Sequence, residues 1–151
     1  MAASQAPYSV YSCTWGGTSS YVAMMQVSAN GSIASRGQSL EYASGSGVHG
    51  LALSPDQRYL YSADDNGNAV WTHEVKADGT LTYVGKLSAP STGSDPRHAV
   101  VHPNGNYLYV VLEKSNQLAI YSIDPQTHLP SANSQVISVI PPGTITSESS
   151  I

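Results

Sequence analysis

The sequence predicts an all-β fold made of repeated four-stranded units. Two observations support this prediction: a pattern that returns about every 48 residues, and short alternating runs separated by turn residues. The 151 residues include 13 Gly and 9 Pro, and only 11% are charged, a composition that suits short strands and tight turns. No run of about ten or more residues has the period of an amphipathic helix.

The repeat is most visible as a proline, a polar turn and the triplet Tyr-Leu-Tyr. These features occur in Ser54–Tyr61 and again, one repeat length later, in His102–Tyr109. The same spacing separates Gly31 from Gly79, which follow Asn and Asp between alternating residues. Asn-Gly and Asp-Gly mark β-hairpins, and we expect type I′ turns with a positive φ at both central residues. Because several matches share one spacing, they indicate an internal repeat.

Each complete unit contains four strand-like runs. In the middle unit these runs are Gly50–Ser54, Tyr59–Ala63, Ala69–Val75 and Leu81–Leu87. The first unit has strands at Tyr8–Ser12 and Tyr21–Val27 but lacks an opening strand before Tyr8, and the last unit runs to about Gly143. Four strands in about 40–50 residues is the spacing of β-propeller blades.

The predicted architecture is therefore a partial β-propeller of just under three four-stranded antiparallel blades in one domain. The blades lie at about 7–46 (incomplete), 47–95 and 96–143, and residues 144–151 form a disordered tail. Closed propellers need about 4–8 blades, so two sheet edges stay open. We expect either self-association through these open edges or a fragment of a longer protein, and we favour the fragment.

Composition excludes several classes of partner. The net charge of −4 and the absence of a basic run argue against nucleic-acid binding.

No stretch approaches the roughly 18 apolar residues of a membrane helix, and the first residues do not resemble a signal peptide. Cys13 is the single cysteine, so we expect a cytoplasmic protein. No histidine has metal-ligand spacing, and we predict neither a metal nor another cofactor.

Four residues are candidates for a site. His49 and Arg97 occupy equivalent positions of successive repeats, and both are placed just before the first strand of their blade. Since that strand lines the central channel of a propeller, we expect both side chains at one mouth, beside His98. Glu113 follows the strand Tyr107–Leu112, and the sequence leaves open which face it joins.

These residue types suit anion binding combined with proton transfer. An Arg guanidinium is a fork for carboxylates, a His titrates near neutral pH and a Glu can act as an acid. The structural alternative is that His49 bonds a turn carbonyl and that Arg97 pairs with Asp95. Trp71 and His73 alternate on one strand face, and we interpret Trp71 as inter-blade core and His73 as packing or surface.

The motifs also resemble a known family. The segments Gly47–Pro55, Asp95–Arg97 and His102–Tyr109 are similar to those of the fungal carboxy-cis,cis-muconate cyclases, in the lactonase-type seven-bladed propeller superfamily. The similarity extends from about Pro7 to Gly143 and matches an interior segment of such a protein.

The resemblance implies a cofactor-free cycloisomerase that lactonises 3-carboxy-cis,cis-muconate, a small tricarboxylate, in protocatechuate degradation. It assigns His49 and Glu113 to acid/base positions, Arg97 to substrate carboxylates, and His98 as a neighbouring substrate contact. The family's further channel arginine belongs to a later blade, so we expect the chain alone to be inactive. The alternatives are a lactone hydrolase of the 6-phosphogluconolactonase type and a non-catalytic propeller fragment.

Overall fold

Eleven strands and no helix make up the part of the chain that the computed structural model describes, residues 8–16 and 18–144. No helix within these residues is long and apolar enough to cross a membrane. The strands are β1 (Tyr8–Cys13), β2 (Tyr21–Val27), β3 (Ile33–Glu41), β4 (Val48–Leu53), β5 (Tyr59–Asp64), β6 (Ala69–Val75), β7 (Leu81–Ser88), β8 (Pro96–Val101), β9 (Tyr107–Leu112), β10 (Gln117–Ser122) and β11 (Gln135–Ser138).

The strands form three antiparallel sheets in chain order. The first sheet is β1-β2-β3, the second is β4-β5-β6-β7 and the third is β8-β9-β10-β11. The prediction of an all-β chain with just under three blades is therefore confirmed. The predicted lack of a strand before Tyr8 and the predicted disorder of residues 145–151 fall outside the described residues.

The repeat is preserved in the inner strands and lost in the last one. Strands β8 and β9 begin and end one repeat length after β4 and β5. The same spacing would start the outermost strand of the third blade at Leu129, whereas β11 starts at Gln135. A longer connection precedes β11, closed by the bridge between Ile123 and Pro130 and by the His128 N–H donating to the Asp124 carbonyl.

The hairpin turns differ from the predicted type I′. Gly79 has a φ of 83°, but neither Asp78 nor Asn30 of the first hairpin has a positive φ. The Gly79 N–H donates to the Lys76 carbonyl at 2.8 Å, which describes a type I turn followed by a left-handed glycine. The Asp78 carboxylate accepts the Thr80 N–H at 3.0 Å. This side-chain acceptor stabilises the three-residue loop, so only the glycine needs a positive φ.

The apolar core lies between the blades. One cluster of buried side chains joins the second and third blades, and another joins the first and second. Trp71 is buried in this packing, as its interpretation as inter-blade core predicted, and His73, for which packing and surface positions were both left open, is buried beside it. Tyr11 of β1 and Tyr61 of β5 each contact the outer hairpin of the following blade. The Tyr11 hydroxyl donates to the Gly79 carbonyl at 2.8 Å, and the Tyr61 hydroxyl donates to the His128 carbonyl at 3.0 Å.

The innermost strands of adjacent blades touch at Gly50. A Cβ placed on Gly50 would overlap the Arg97 carbonyl oxygen and lie 3.0 Å from the His98 Cα. Because backbone cannot move aside as a side-chain end can, only glycine permits this approach. The contact brings the start of β4 against the start of β8, where the candidate residues lie.

Candidate active site

His49 and Arg97 occupy equivalent β-bulges. The register of β4 against β5 shifts between Val48 and Gly50, and β8 shifts at the matching place against β9. Both residues are therefore the second residue of a strand, and the prediction that they precede the strand is wrong. Pairing resumes on the far side of the bulge, since Val48 still pairs with Asp64. Bulges commonly re-aim side chains beside active sites.

Arg97 connects the candidate residues of two blades. Its Nε–H donates to the His49 Nε2 at 3.1 Å, and its NH1 group donates to the Glu113 carboxylate. This contact answers the question that the sequence left open, because Glu113 lies on the same face as Arg97. The Arg97 and Glu113 side chains are 39% and 48% exposed, so the ion pair contributes at most about 1 kcal/mol. A competing carboxylate can displace it readily.

The two histidines stand edge to face. The rings of His49 and His98 have centroids 5.0 Å apart and an interplanar angle of 87°. The Nδ1 of His49 is buried and has no hydrogen-bond partner within the described residues. Because Nε2 accepts the Arg97 Nε–H, a neutral His49 carries its proton on Nδ1. All four predicted residues, His49, Arg97, His98 and Glu113, thus lie together.

Two further residues, Trp15 and Asp65, lie beside the mouth formed by His49, Arg97, His98 and Glu113, and neither was predicted as part of the site. The Trp15 indole N–H donates to the Asp65 carboxylate at 3.1 Å, joining the first blade to the second. Burial raises the pKa of Asp65, and the nearby charges of Asp95 and Glu113 raise it further, against the opposing effects of the Trp15 hydrogen bond and of His49. The available signal was the repeat, since Asp65 occupies the position of Glu113 in the preceding unit. Nothing in the sequence pointed to Trp15.

The cluster suits an organic anion better than a metal. Its described contacts use two of the five N–H groups of Arg97, which leaves donors for a carboxylate. His49 and Glu113 both contact the same guanidinium, so an anion held there lies beside two groups that can accept or donate a proton. Among residues 8–16 and 18–144, no three His, Cys, Asp or Glu side chains are grouped so as to hold a metal ion.

Fold and site together define a propeller-type protein with an arginine-centred mouth formed by adjacent inner strands. The chain belongs to the family described as lactonase, 7-bladed beta-propeller, whose model matches residues 4–150. This match and the relatives below confirm the resemblance inferred from the motifs.

Named relatives share parts of this sequence. The chain is 40% identical over 143 residues to the carboxy-cis,cis-muconate cyclase of Neurospora crassa, which covers 95% of this chain and 39% of that protein. It is 35% identical over 95 residues to the 6-phosphogluconolactonase of Bacillus subtilis, covering 62% and 26%. The periplasmic gluconolactonase of Pseudomonas aeruginosa shares the fold, with a TM-score of 0.77 at 22% identity over 91% of this chain and 41% of that one. The chain thus spans well under half the length of these relatives.

Proposed function

We propose that this chain supplies an active-site mouth of an intramolecular lactonising enzyme, a cycloisomerase acting on 3-carboxy-cis,cis-muconate. The observation that carries the proposal is the bridging of His49 and Glu113 by Arg97, which combines anion binding and proton transfer at one place. The 40% identity to a protein named carboxy-cis,cis-muconate cyclase supports this choice of substrate.

The proposed reaction forms one bond and moves one proton. A substrate carboxylate oxygen adds to an alkene carbon, the C=C π bond breaks, and the electron pair passes to the neighbouring carbon. That carbon then takes a proton, so the trianion becomes a lactone dianion. Arg97 binds a substrate carboxylate in place of Glu113, and its guanidinium offers the bidentate fork that such a group prefers. His98 lines the same space as a second substrate contact.

Proton delivery requires a change at His49. In the free site its Nε2 accepts from Arg97, so this nitrogen is not protonated. When a substrate carboxylate takes over the guanidinium, Nε2 is released and can be protonated. Glu113, displaced from Arg97, takes up one proton from solvent and passes it to His49, which delivers it to carbon, so the proton that the reaction consumes comes from water. Rearrangement of this kind is common, since hydrogen bonds of a free site tighten in their catalytic form only with substrate bound.

Lactone hydrolysis is the second candidate, favoured by the 6-phosphogluconolactonase of Bacillus subtilis among the relatives. In that case Arg97 would hold an anionic group of a sugar lactone, and His49 would deprotonate water. The two reactions differ in whether the lactone is the product or the substrate. They also differ in water consumption, which only the hydrolase needs.

The deciding experiment follows the ultraviolet absorbance of the muconate diene. We expect loss of absorbance with a seven-bladed protein that contains these blades, and no loss with the 151-residue chain alone, which matches 39% of the length of the Neurospora crassa cyclase. Retention of the diene by the seven-bladed protein, with hydrolysis of a sugar lactone, would replace the cyclase by the hydrolase. Activity of the isolated chain would show that three blades suffice.

Variants in the seven-bladed protein separate the roles. Arg97→Ala should raise KM, because a substrate carboxylate loses its partner, whereas His49→Ala should mainly lower kcat. Arg58→Ala is the matched control, since Arg58 is exposed and lies near the ring of Tyr59, away from the mouth. Unchanged kinetics for both site variants would make His49 and Arg97 structural.

We further propose that the reaction uses no cofactor, so dialysis against a chelator should leave the rate unchanged. We also propose that the protein is cytoplasmic, and cell fractionation tests this location.

A further inference from the structure

A second concave site lies between the first and second blades, outside the mouth. It has a volume of about 610 Å³ and lies against the end of β3, the middle of β6 and the start of β7. Both blades belong to this chain, and neither His49 nor Arg97 lines the cleft. Its lining includes Leu40, Glu41, Tyr42, Trp71, His73 and Tyr83. The set is mostly aromatic and apolar, which is the composition of small-molecule sites.

The walls of the cleft are aromatic rings set at steep angles. Trp71 packs edge to face with Tyr42 at 5.3 Å and with Tyr83 at 5.7 Å between centroids. Two hydrogen bonds fix these rings: the Tyr42 hydroxyl donates to the Ser62 hydroxyl at 2.8 Å, and the Trp71 indole N–H donates to the Asp64 carboxylate at 2.7 Å. The Tyr42 and Trp71 walls are therefore held in place before a ligand enters, whereas Tyr83 is 55% exposed at the rim.

His73 is the polar group of this wall that the fold does not explain. It is 3% exposed, and its Nδ1 has no hydrogen-bond partner within the described part of the chain. Burial lowers its pKa to about 4, so the imidazole is neutral near pH 7. An unsatisfied buried imidazole costs stability. The repeat places Tyr121 at the equivalent position of the next blade, so the fold does not require a histidine here.

The charges around the cleft select against ions. Glu41 lines the cleft and repels carboxylates, and the Lys86 ammonium already lies 4.7 Å from the centre of the Trp71 ring. No arginine lines the cleft, in contrast to the mouth. Glu41 and Lys86 have opposite charges, so the surroundings of the cleft have no net charge, and an uncharged ring with one polar group loses less hydration on entering than an ion does.

We propose that this cleft binds a small uncharged aromatic molecule with a hydroxyl group, of the phenol class, with its ring against Trp71 and Tyr83 and its hydroxyl hydrogen-bonded to the His73 Nε2, because Nδ1 is enclosed by protein. The site is separate from the mouth and independent of the reaction proposed there. A neutral imidazole offers one acceptor nitrogen, which matches a single phenolic donor.

Fluorescence of Trp71 tests the proposal on the 151-residue chain. In a Trp15→Phe background Trp71 is the single tryptophan, so its emission reports on the cleft. Titration with 4-methylphenol should give a saturable change. Toluene, which lacks the hydroxyl, should bind about tenfold more weakly, the usual effect of one lost hydrogen bond. Sodium 4-methylbenzoate should not bind. A change that does not saturate, or equal binding of all three compounds, overturns the proposal.

Variants assign the binding to named residues. His73→Phe keeps an aromatic wall but removes the nitrogens, so 4-methylphenol should bind about tenfold more weakly and no better than toluene. His102→Phe, in a turn away from the cleft, is the matched control and should bind as the parent does. Tyr83→Ala covers the case in which His73→Phe fails to fold, since Tyr83 is 55% exposed and its loss should weaken binding several-fold. Unaltered affinity in Tyr83→Ala or in a folded His73→Phe refutes the assignment.

Discussion

Arg97 donates to two different acceptors within the mouth, and the positions of these acceptors determine which side chain can replace arginine here. Its Nε–H reaches an imidazole of the preceding blade, while its NH1 group reaches a carboxylate that follows β9. A planar guanidinium places these donors in fixed directions, whereas an ammonium carries its donors on one atom. The geometry of the mouth thus depends on the shape of the side chain as well as on its charge.

The first residue-scale prediction concerns Arg97→Lys in the seven-bladed protein. Lysine keeps the charge but cannot hold His49 and Glu113 together while also binding a carboxylate in a fork. We expect KM to rise by about tenfold or more, with kcat also reduced. Steady-state kinetics on the proposed substrate, 3-carboxy-cis,cis-muconate, measures both constants, with Arg58→Lys as the control. Wild-type kinetics in Arg97→Lys would show that charge alone suffices.

A second residue-scale prediction concerns acid stability and His73. Its pKa falls from 6.5 to about 4 on burial, so the unfolded chain binds more protons than the native one between these values. Stability is therefore present above about pH 6.5 and is lost as the pH falls towards 4, by about 3 kcal/mol. Urea unfolding at pH 7 and pH 4.5 should show a smaller pH effect in His73→Phe than in His102→Phe. Equal losses in both variants would contradict this assignment.

At the scale of the elements, the sequence predicted the strands but not the β-bulges within them. Tyr-Leu-Tyr after a proline turn predicted β5 and β9 closely, because alternating β-formers between turns have few other structures. The bulges at His49 and Arg97 were missed because a bulge depends on the partner strand. Trp15 was missed for a similar reason, since its contact with Asp65 crosses between blades. The grouping of His49 with Arg97, by contrast, followed from the repeat spacing, whereas the face on which Glu113 lies did not.

The close approach at Gly50 leads to an element-scale prediction. Gly50→Ala would press a methyl group against the backbone of β8, and the two inner strands must separate. We expect a loss of about 1–3 kcal/mol in stability and a raised KM, because the His49–Arg97 hydrogen bond lengthens. Gly37→Ala is the matched control, since its new methyl would meet the flexible end of Met24 instead. Equal effects of the two changes on KM would argue against this positioning role.

The tyrosine contacts between blades give a second element-scale prediction. Tyr61→Phe removes a hydroxyl that donates to the His128 carbonyl, and it should cost about 1 kcal/mol. Tyr121→Phe removes a buried hydroxyl that has no partner among the described residues, so it should be neutral or stabilising. Urea unfolding of the 151-residue chain compares the two. A larger loss in Tyr121→Phe would mean that its hydroxyl has an undetected partner.

At the scale of the whole molecule, the third blade leaves an apolar face uncovered. Val100, Val111 and Ile137 are exposed on the face turned away from the second blade. Such a patch promotes association. We expect the purified 151-residue chain to self-associate as its concentration rises, and Val111→Thr with Ile137→Thr to weaken this in light scattering. Ile33→Thr, at an exposed position of the first blade, is the control. A monomer at all concentrations would contradict the expectation.

The bonds from Tyr11 and Tyr61 to the following blade have a consequence for how such chains diversify. Each tyrosine donates to a backbone carbonyl, and the accepting residues are as different as Gly79 and His128. Every residue type carries that acceptor, so the receiving hairpin can change its side chains freely without losing the contact. A duplicated blade can therefore accept the same tyrosine hydrogen bond from its neighbour, whatever the side chains of its hairpin are. Its mouth residues are then free to acquire new chemistry, as the contrast between Asp65 and Glu113 at one repeat position illustrates.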